Sequence, residues 1–185
     1  GYVGEDVETV LERLITLADY DVELAQRGIV FIDEVDKKAR KSENNTATRD
    51  VSGEGVQQAL LRLIEGTQCK IKANTKTKYG EEFIEFDTSN VLFILGGAFV
   101  GIEDIIEKRL KSKSKIGFNS KILTDEDKQD ILKQINPEDV VQFGMIPELV
   151  GRLPVIATLE NLSQTQLRNI LTEVKNSIIM QVQSL

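Results

Sequence analysis

Two uninterrupted apolar runs constrain this chain more than anything else in it: Ile29-Val30-Phe31-Ile32 and Val91-Leu92-Phe93-Ile94-Leu95. A strand with one wet face alternates apolar and polar residues. Runs of large side chains without alternation, rich in β-branched residues, read as strands buried on both faces. Helical patterns flank and separate the two runs, and buried strands alternating with helices specify an α/β fold with a mostly parallel sheet. In such sheets ligands sit beyond the carboxyl ends of the strands. The first run stops at Asp33-Glu34 and the second at Gly96-Gly97, which places an acidic pair and a turn without side chains on one edge.

The remaining elements follow from periodicity and punctuation. Val7, Val10, Leu11, Leu14, Ile15 and Ala18 form one stripe of a helix that runs from Gly4 to about Gln26, with Gly28 ending it. Lys37 to Arg49 is polar and reads as a loop; a second helix covers about Gly53 to Glu65 and stops at Gly66. Cys69 to Ala73 and Glu82 to Phe86 form a hairpin, and a helix spans about Ile102 to Leu110. Lys111 to Lys121 is a basic loop. Two short helices lie between Thr124 and Val150, punctuated by Pro137 and Pro147, and Leu153 to Ala157 reads as a third core strand. Ser163 with Gln166 three residues on is a capping-box pattern that opens a final helix reaching the C-terminus.

Composition removes several chemistries. The 185 residues contain no His and one Cys, so neither a Ser-His-Asp triad, a His metal site nor an internal disulfide is available. A single cysteine fits a reducing compartment. The net charge of −7 argues against a large nucleic-acid surface. No apolar run approaches the roughly 18 residues of a membrane helix, and no signal peptide is visible. The chain opens on Gly1-Tyr2-Val3-Gly4 without Met, which suggests a piece of something longer.

Read alone, Asp33-Glu34 has two explanations: an acidic cap after a strand, or the Walker B pair of a nucleotide hydrolase. In the second, one carboxylate reaches the Mg²⁺ shell and the next polarises the attacking water. Other candidates take their ordinary structural readings on the residues alone. Arg152 reads as an ordinary surface arginine, Tyr2-Val3 as a staple on the following helix, Arg49-Asp50-Val51-Ser52 as a capping loop, and Ile116-Gly117-Phe118 as apolar residues tucked under a loop.

The order and spacing of several segments decide between these alternatives. Gly28 to Lys37, Thr48 to Leu61, Ile94 to Phe99, Ile116 to Phe118 and Phe143 to Pro154 together resemble the ClpX family of AAA+ protein unfoldases over nearly the whole chain. The resemblance implies an AAA+ P-loop NTPase core with its first, P-loop strand missing. It makes Asp33 the carboxylate associated with Mg²⁺ through water, Glu34 the base that orients water on the γ-phosphate, and Arg152 the arginine finger directed at a neighbouring subunit's ATP. Tyr2 and Val3 become the first pore loop, Arg49, Asp50, Val51 and Ser52 the second, and Ile116, Gly117 and Phe118 the loop that docks on the ClpP peptidase. ATP and Mg²⁺ are the implied cofactors. A homohexamer that unfolds tagged or unfolded proteins for ClpP is the implied assembly, in the bacterial cytoplasm or the mitochondrial or plastid equivalent, with no nucleic-acid or membrane partner.

The chain departs from that family in places. No Gly-x-x-x-x-Gly-Lys loop occurs in it, and Thr77-Lys78-Tyr79 stands where the family usually has Arg-Lys-His. The expected division is a partial large subdomain over 1–158 and a hinge with the first helix of the small subdomain over 159–185, the hinge falling near Thr158 to Leu162. Rival readings are a non-catalytic AAA+ interaction module, if no Walker A motif accompanies this chain, and the related HslU unfoldase. The short spacing from Glu34 to Val56 leaves no room for HslU's long helical insertion.

Overall fold

The computed structural model describes residues 3–39, 51–73, 82–113 and 125–173. Both apolar runs are strands. β1 (Ile29–Ile32) and β4 (Leu92–Leu95) pair in parallel, Ile29 opposite Leu92 and Ile32 opposite Leu95. Between them come α3 (Val51–Glu65) and an antiparallel hairpin of β2 (Gln68–Ala73) and β3 (Glu82–Asp87), which forms its own sheet with Cys69 opposite Phe86. The α/β class expected from the sequence is therefore present, and Gly66 closes α3 at φ +87°, a conformation that costs glycine little.

α1 (Val3–Leu17) packs on α3 and β2. Its Leu11 and Ile15 are fully buried against Leu60, Leu61 and Leu63 of α3, Ile71 and Phe86 of the hairpin, and Val30 of β1. The other side of α3 receives Met145, Ile146 and α7 (Pro147–Gly151), whose Leu149 and Val150 are buried. Each such side chain contributes about 1.5–3 kcal/mol through its removal from water, so α3 stands at the centre of the core.

Several expectations need correction. The first helix does not run to Gln26: it stops at Leu17, Asp19 and Tyr20 adopt left-handed backbone (φ +50° and +63°), and a separate α2 (Val22–Ala25) begins after Asp21. The Asp21 carboxylate accepts from the Leu24 N–H at 3.0 Å, a cap that competes with helix continuation. β1 is buried on one face only. Val30 is 5% exposed, but Ile29 and Phe31 are each 62% exposed, and Leu92 and Ile94 share their bare side. Leu153 to Ala157 is not a strand; it has no ladder partner, and Pro154 lacks an N–H to offer one. Three short helices, not two, fill 125–151: α5 (Asp125–Leu132), α6 (Pro137–Phe143) and α7. The predicted loop from Lys111 begins inside α4 (Ile102–Lys113), while the predicted loop from Lys37 opens on a 3-10 turn over Val35–Lys38. The final helix, α8 (Gln164–Glu173), does open on the expected capping box, with Ser163 N–H donating to Gln166 Oε1 (2.8 Å) and Gln166 N–H to Ser163 Oγ (3.2 Å). No helix among the described residues is long and apolar enough to cross a membrane.

α4 and α6 are joined by a buried ion pair. Asp139 is fully buried, accepts from Arg109 Nε (2.7 Å) and Nη2 (2.9 Å), and also receives the Asn136 N–H in a reciprocal cap. The hydrogen bond to Asp139 raises the Arg109 guanidinium above its usual pKa. Asp139→Ala removes the acceptor of the Asn136 N–H and leaves Arg109 with Gln134 O as its partner among the described residues, and should cost about 2 kcal/mol in urea unfolding. A loss below about 1 kcal/mol would show that the pair is dispensable.

Candidate functional site

The parallel ladder builds the site's edge. Beyond its last rung, Gly96 N–H donates to Ile32 O (2.8 Å) and Val35 N–H donates to Gly96 O (3.0 Å), so the chain leaving β1 stays clamped to the chain leaving β4. The clamp brings Asp33, Glu34 and Gly96 together as the sequence suggests. Both carboxylates are exposed, and Asp33 Oδ1 accepts from the Glu34 N–H at 2.8 Å. Glu34 sits in left-handed backbone (φ +56°, ψ +33°), which costs a non-glycine residue about 1–2 kcal/mol. The strain is held by the clamp on one side and the 3-10 turn of Val35–Lys38 on the other. Asp36, on that turn, faces inward, and its Oδ1 is buried without a hydrogen-bond partner among the described residues.

Beneath the acidic pair lies a cavity of about 110 Å³, lined among others by Asp33, Glu34, Lys38, Gln57 and Met145. Gln57 was not anticipated as a site residue. It is 1% exposed; its Nε2 donates to Lys38 O (2.7 Å) and its Oε1 accepts from the Ile146 N–H (2.8 Å). A signal for it did exist: a polar residue on the helix stripe otherwise formed by Gly53, Leu60 and Leu61. Gly53, one turn earlier, lets the Lys38 carbonyl approach so closely that a Cβ there would lie 2.9 Å from it.

The other candidates lie elsewhere or outside the description. Arg152 ends α7, is exposed, and gives both Nε (3.1 Å) and Nη2 (3.0 Å) to Glu65 Oε1. Glu65 ends α3, whereas Gly53 near its start touches Lys38, and the separation of twelve positions between them spans about 18 Å of helix. The fold therefore parks Arg152 away from the acidic pair of its own chain. Val51 and Ser52 belong to the first turn of α3, which starts two residues earlier than expected, so Ser52 is inside the helix and not its cap. Val3 is the first residue of α1. Tyr2, Arg49, Asp50, Ile116, Gly117, Phe118 and the Thr77-Lys78-Tyr79 segment lie outside the described residues.

As an oxygen-donor site the edge suits a hydrated hard cation. Asp33 and Glu34, both exposed, are the oxygen donors this edge offers such a cation. That matches how Mg²⁺ is usually held, through one or two carboxylates, several waters and substrate phosphates.

Glycine at 53 yields a direct test. In a free helix Gly→Ala gains about 1 kcal/mol; here the new Cβ meets backbone, so Gly53→Ala should instead cost about 1 kcal/mol in urea unfolding. A net gain would show that the Lys38 carbonyl can give way.

Comparison with known proteins adds two findings. The model of the AAA domain (Cdc48 subfamily) matches residues 3–156. The chain is also 49% identical, over 187 aligned positions, to the ATP-dependent Clp protease ATP-binding subunit ClpX of Treponema denticola; the match takes in 100% of this chain and 45% of that protein. It therefore spans somewhat less than half the length of that relative.

Proposed function

The chain belongs to the AAA domain family, and from that premise we propose that it is the hydrolytic core of an ATP-driven, ClpX-type protein unfoldase. The observation that carries the reading is the exposed Asp33-Glu34 pair at the carboxyl end of a parallel strand, held by main-chain bonds to the neighbouring strand's end. Asp33 would hold Mg²⁺ through water, and the bound cation would supply charge neutralisation at the phosphates. Glu34, a residue further, would accept a hydrogen bond from the attacking water and orient it.

Arg152 would act in a neighbouring subunit's site. Its position at the far end of α3 from Lys38 supports this, because a finger meant for its own site would have to reach back along the helix. The reading therefore includes an assembly of subunits, a homohexamer by resemblance. Tyr2 and Val3, with Arg49, Asp50, Val51 and Ser52, would contact unfolded or tagged protein in the pore. Ile116, Gly117 and Phe118 would dock on ClpP, consistent with the relative's name as a Clp protease subunit. A hinge near Thr158 to Leu162 is supported by the stretch 153–163, which contains neither helix nor strand. The bacterial cytoplasm or its organellar equivalent would be the setting.

Glu34→Gln in the full protein should lower ATP turnover by at least about 100-fold while ATP binding persists; unchanged turnover would remove the assignment. The 185-residue chain alone, which contains no Gly-x-x-x-x-Gly-Lys loop, is expected to hydrolyse no ATP. For the partner, Phe118→Ala should abolish capture of ClpP in a pull-down, and retained capture would withdraw that loop from the docking role.

A further inference from the structure

Among the described residues, Gln57 is the one buried polar side chain that touches both halves of the proposed machinery. At one end it holds Lys38 O, the last residue of the 3-10 turn that begins directly after Glu34. At the other it holds the N–H of Ile146, which opens α7. α7 is five residues long, its Leu149 and Val150 are locked in the core, and Arg152 follows it immediately. Ile146 has no side-chain cap of its own, and Gln57 Oε1 accepts from its N–H, the bond that the third helical residue makes in a capping box. The two bonds cross 19 and 89 residues of sequence, and no other described side chain joins these two segments by hydrogen bonds at both ends.

We propose that Gln57 is a positioning residue that ties the Asp33-Glu34 turn to the helix bearing Arg152, so that a shift of a subunit's own acidic turn is passed to the arginine it presents to its neighbour. This rests on the reading of Arg152 as a finger acting in trans. The physical basis is that both partners are main-chain groups. When the turn moves, Lys38 O moves with it; Gln57 either follows or leaves its own buried amide N–H without the acceptor it has in Lys38 O, and the latter is costly. Because α3 is rigid over this length, following means displacing Ile146 and the start of α7. Close packing around Leu149 and Val150 then transmits that displacement rather than absorbing it. The cavity that Gln57 lines with Asp33, Glu34 and Met145 gives the turn room to move on the other side.

The test is a double-mutant cycle in the full assembled protein, reading ATP turnover. Gln57→Met keeps length and shape and deletes both hydrogen bonds. It should lower kcat about 10-fold with KM for ATP changed less than about 2-fold, because binding groups are untouched. In an Arg152→Ala background the same change should lower kcat less than about 2-fold, because residues acting as a unit are not additive. If Gln57→Met fails to fold, Gln57→Glu, which keeps the acceptor for Ile146 and loses the donor to Lys38, is read in the same cycle with the same expectation. Equal losses in both backgrounds, or a loss confined to KM, would overturn the coupling while leaving the finger intact. Unchanged turnover in Arg152→Ala alone would instead overturn the finger reading, and this inference with it.

Discussion

The parallel ladder between β1 and β4 fixes where every group of the site can lie. Its last bonds run past the strands themselves, from Gly96 N–H to Ile32 O and from Val35 N–H to Gly96 O. Parallel pairing puts two carboxyl ends side by side, which an antiparallel pair could not do. It also leaves the chain no freedom over where Asp33 and Glu34 emerge. Strain at Glu34 persists because these bonds, made at both flanks, over-determine that residue's backbone.

α3 is the second organising element. Its apolar stripe packs on α1 and α7, and its polar positions connect rather than solvate: Gln57 to Lys38 and Ile146, Glu65 to Arg152. The Arg152–Glu65 pair is exposed and worth little in stability, as surface ion pairs usually are. Such a pair would give way at little cost in the role proposed for Arg152. The buried Arg109–Asp139 pair is the opposite case, shielded, capped and structural.

Much of this was legible beforehand. Continuous apolar runs identified β1 and β4, and the residues that end them marked the edge, because strand ends and ligand edges coincide in parallel sheets. The capping box at Ser163 was readable since its partners are three residues apart. Two of the departures have clear physical causes. The break at Asp19-Tyr20 is a local contest between helix propagation and an Asp21 cap, and periodicity ran straight through it. The bare face of Ile29, Phe31, Leu92 and Ile94 escaped because an apolar run shows that a strand can be covered, not that these residues supply the cover.

The amino-acid sequence by itself determined that the two apolar runs are strands, which carboxylates stand at the end of the first, and which family the chain resembles, since all three depend on residue types at short, fixed spacing. Tertiary structure alone decided that Arg152 rests on Glu65 at the far end of α3, that Glu34 is held left-handed, and that Gln57 spans from Lys38 to Ile146. Those three outcomes depend on contacts between residues distant in the chain. Such contacts form only where helix α3, packed on both sides, sets its two ends a definite distance apart.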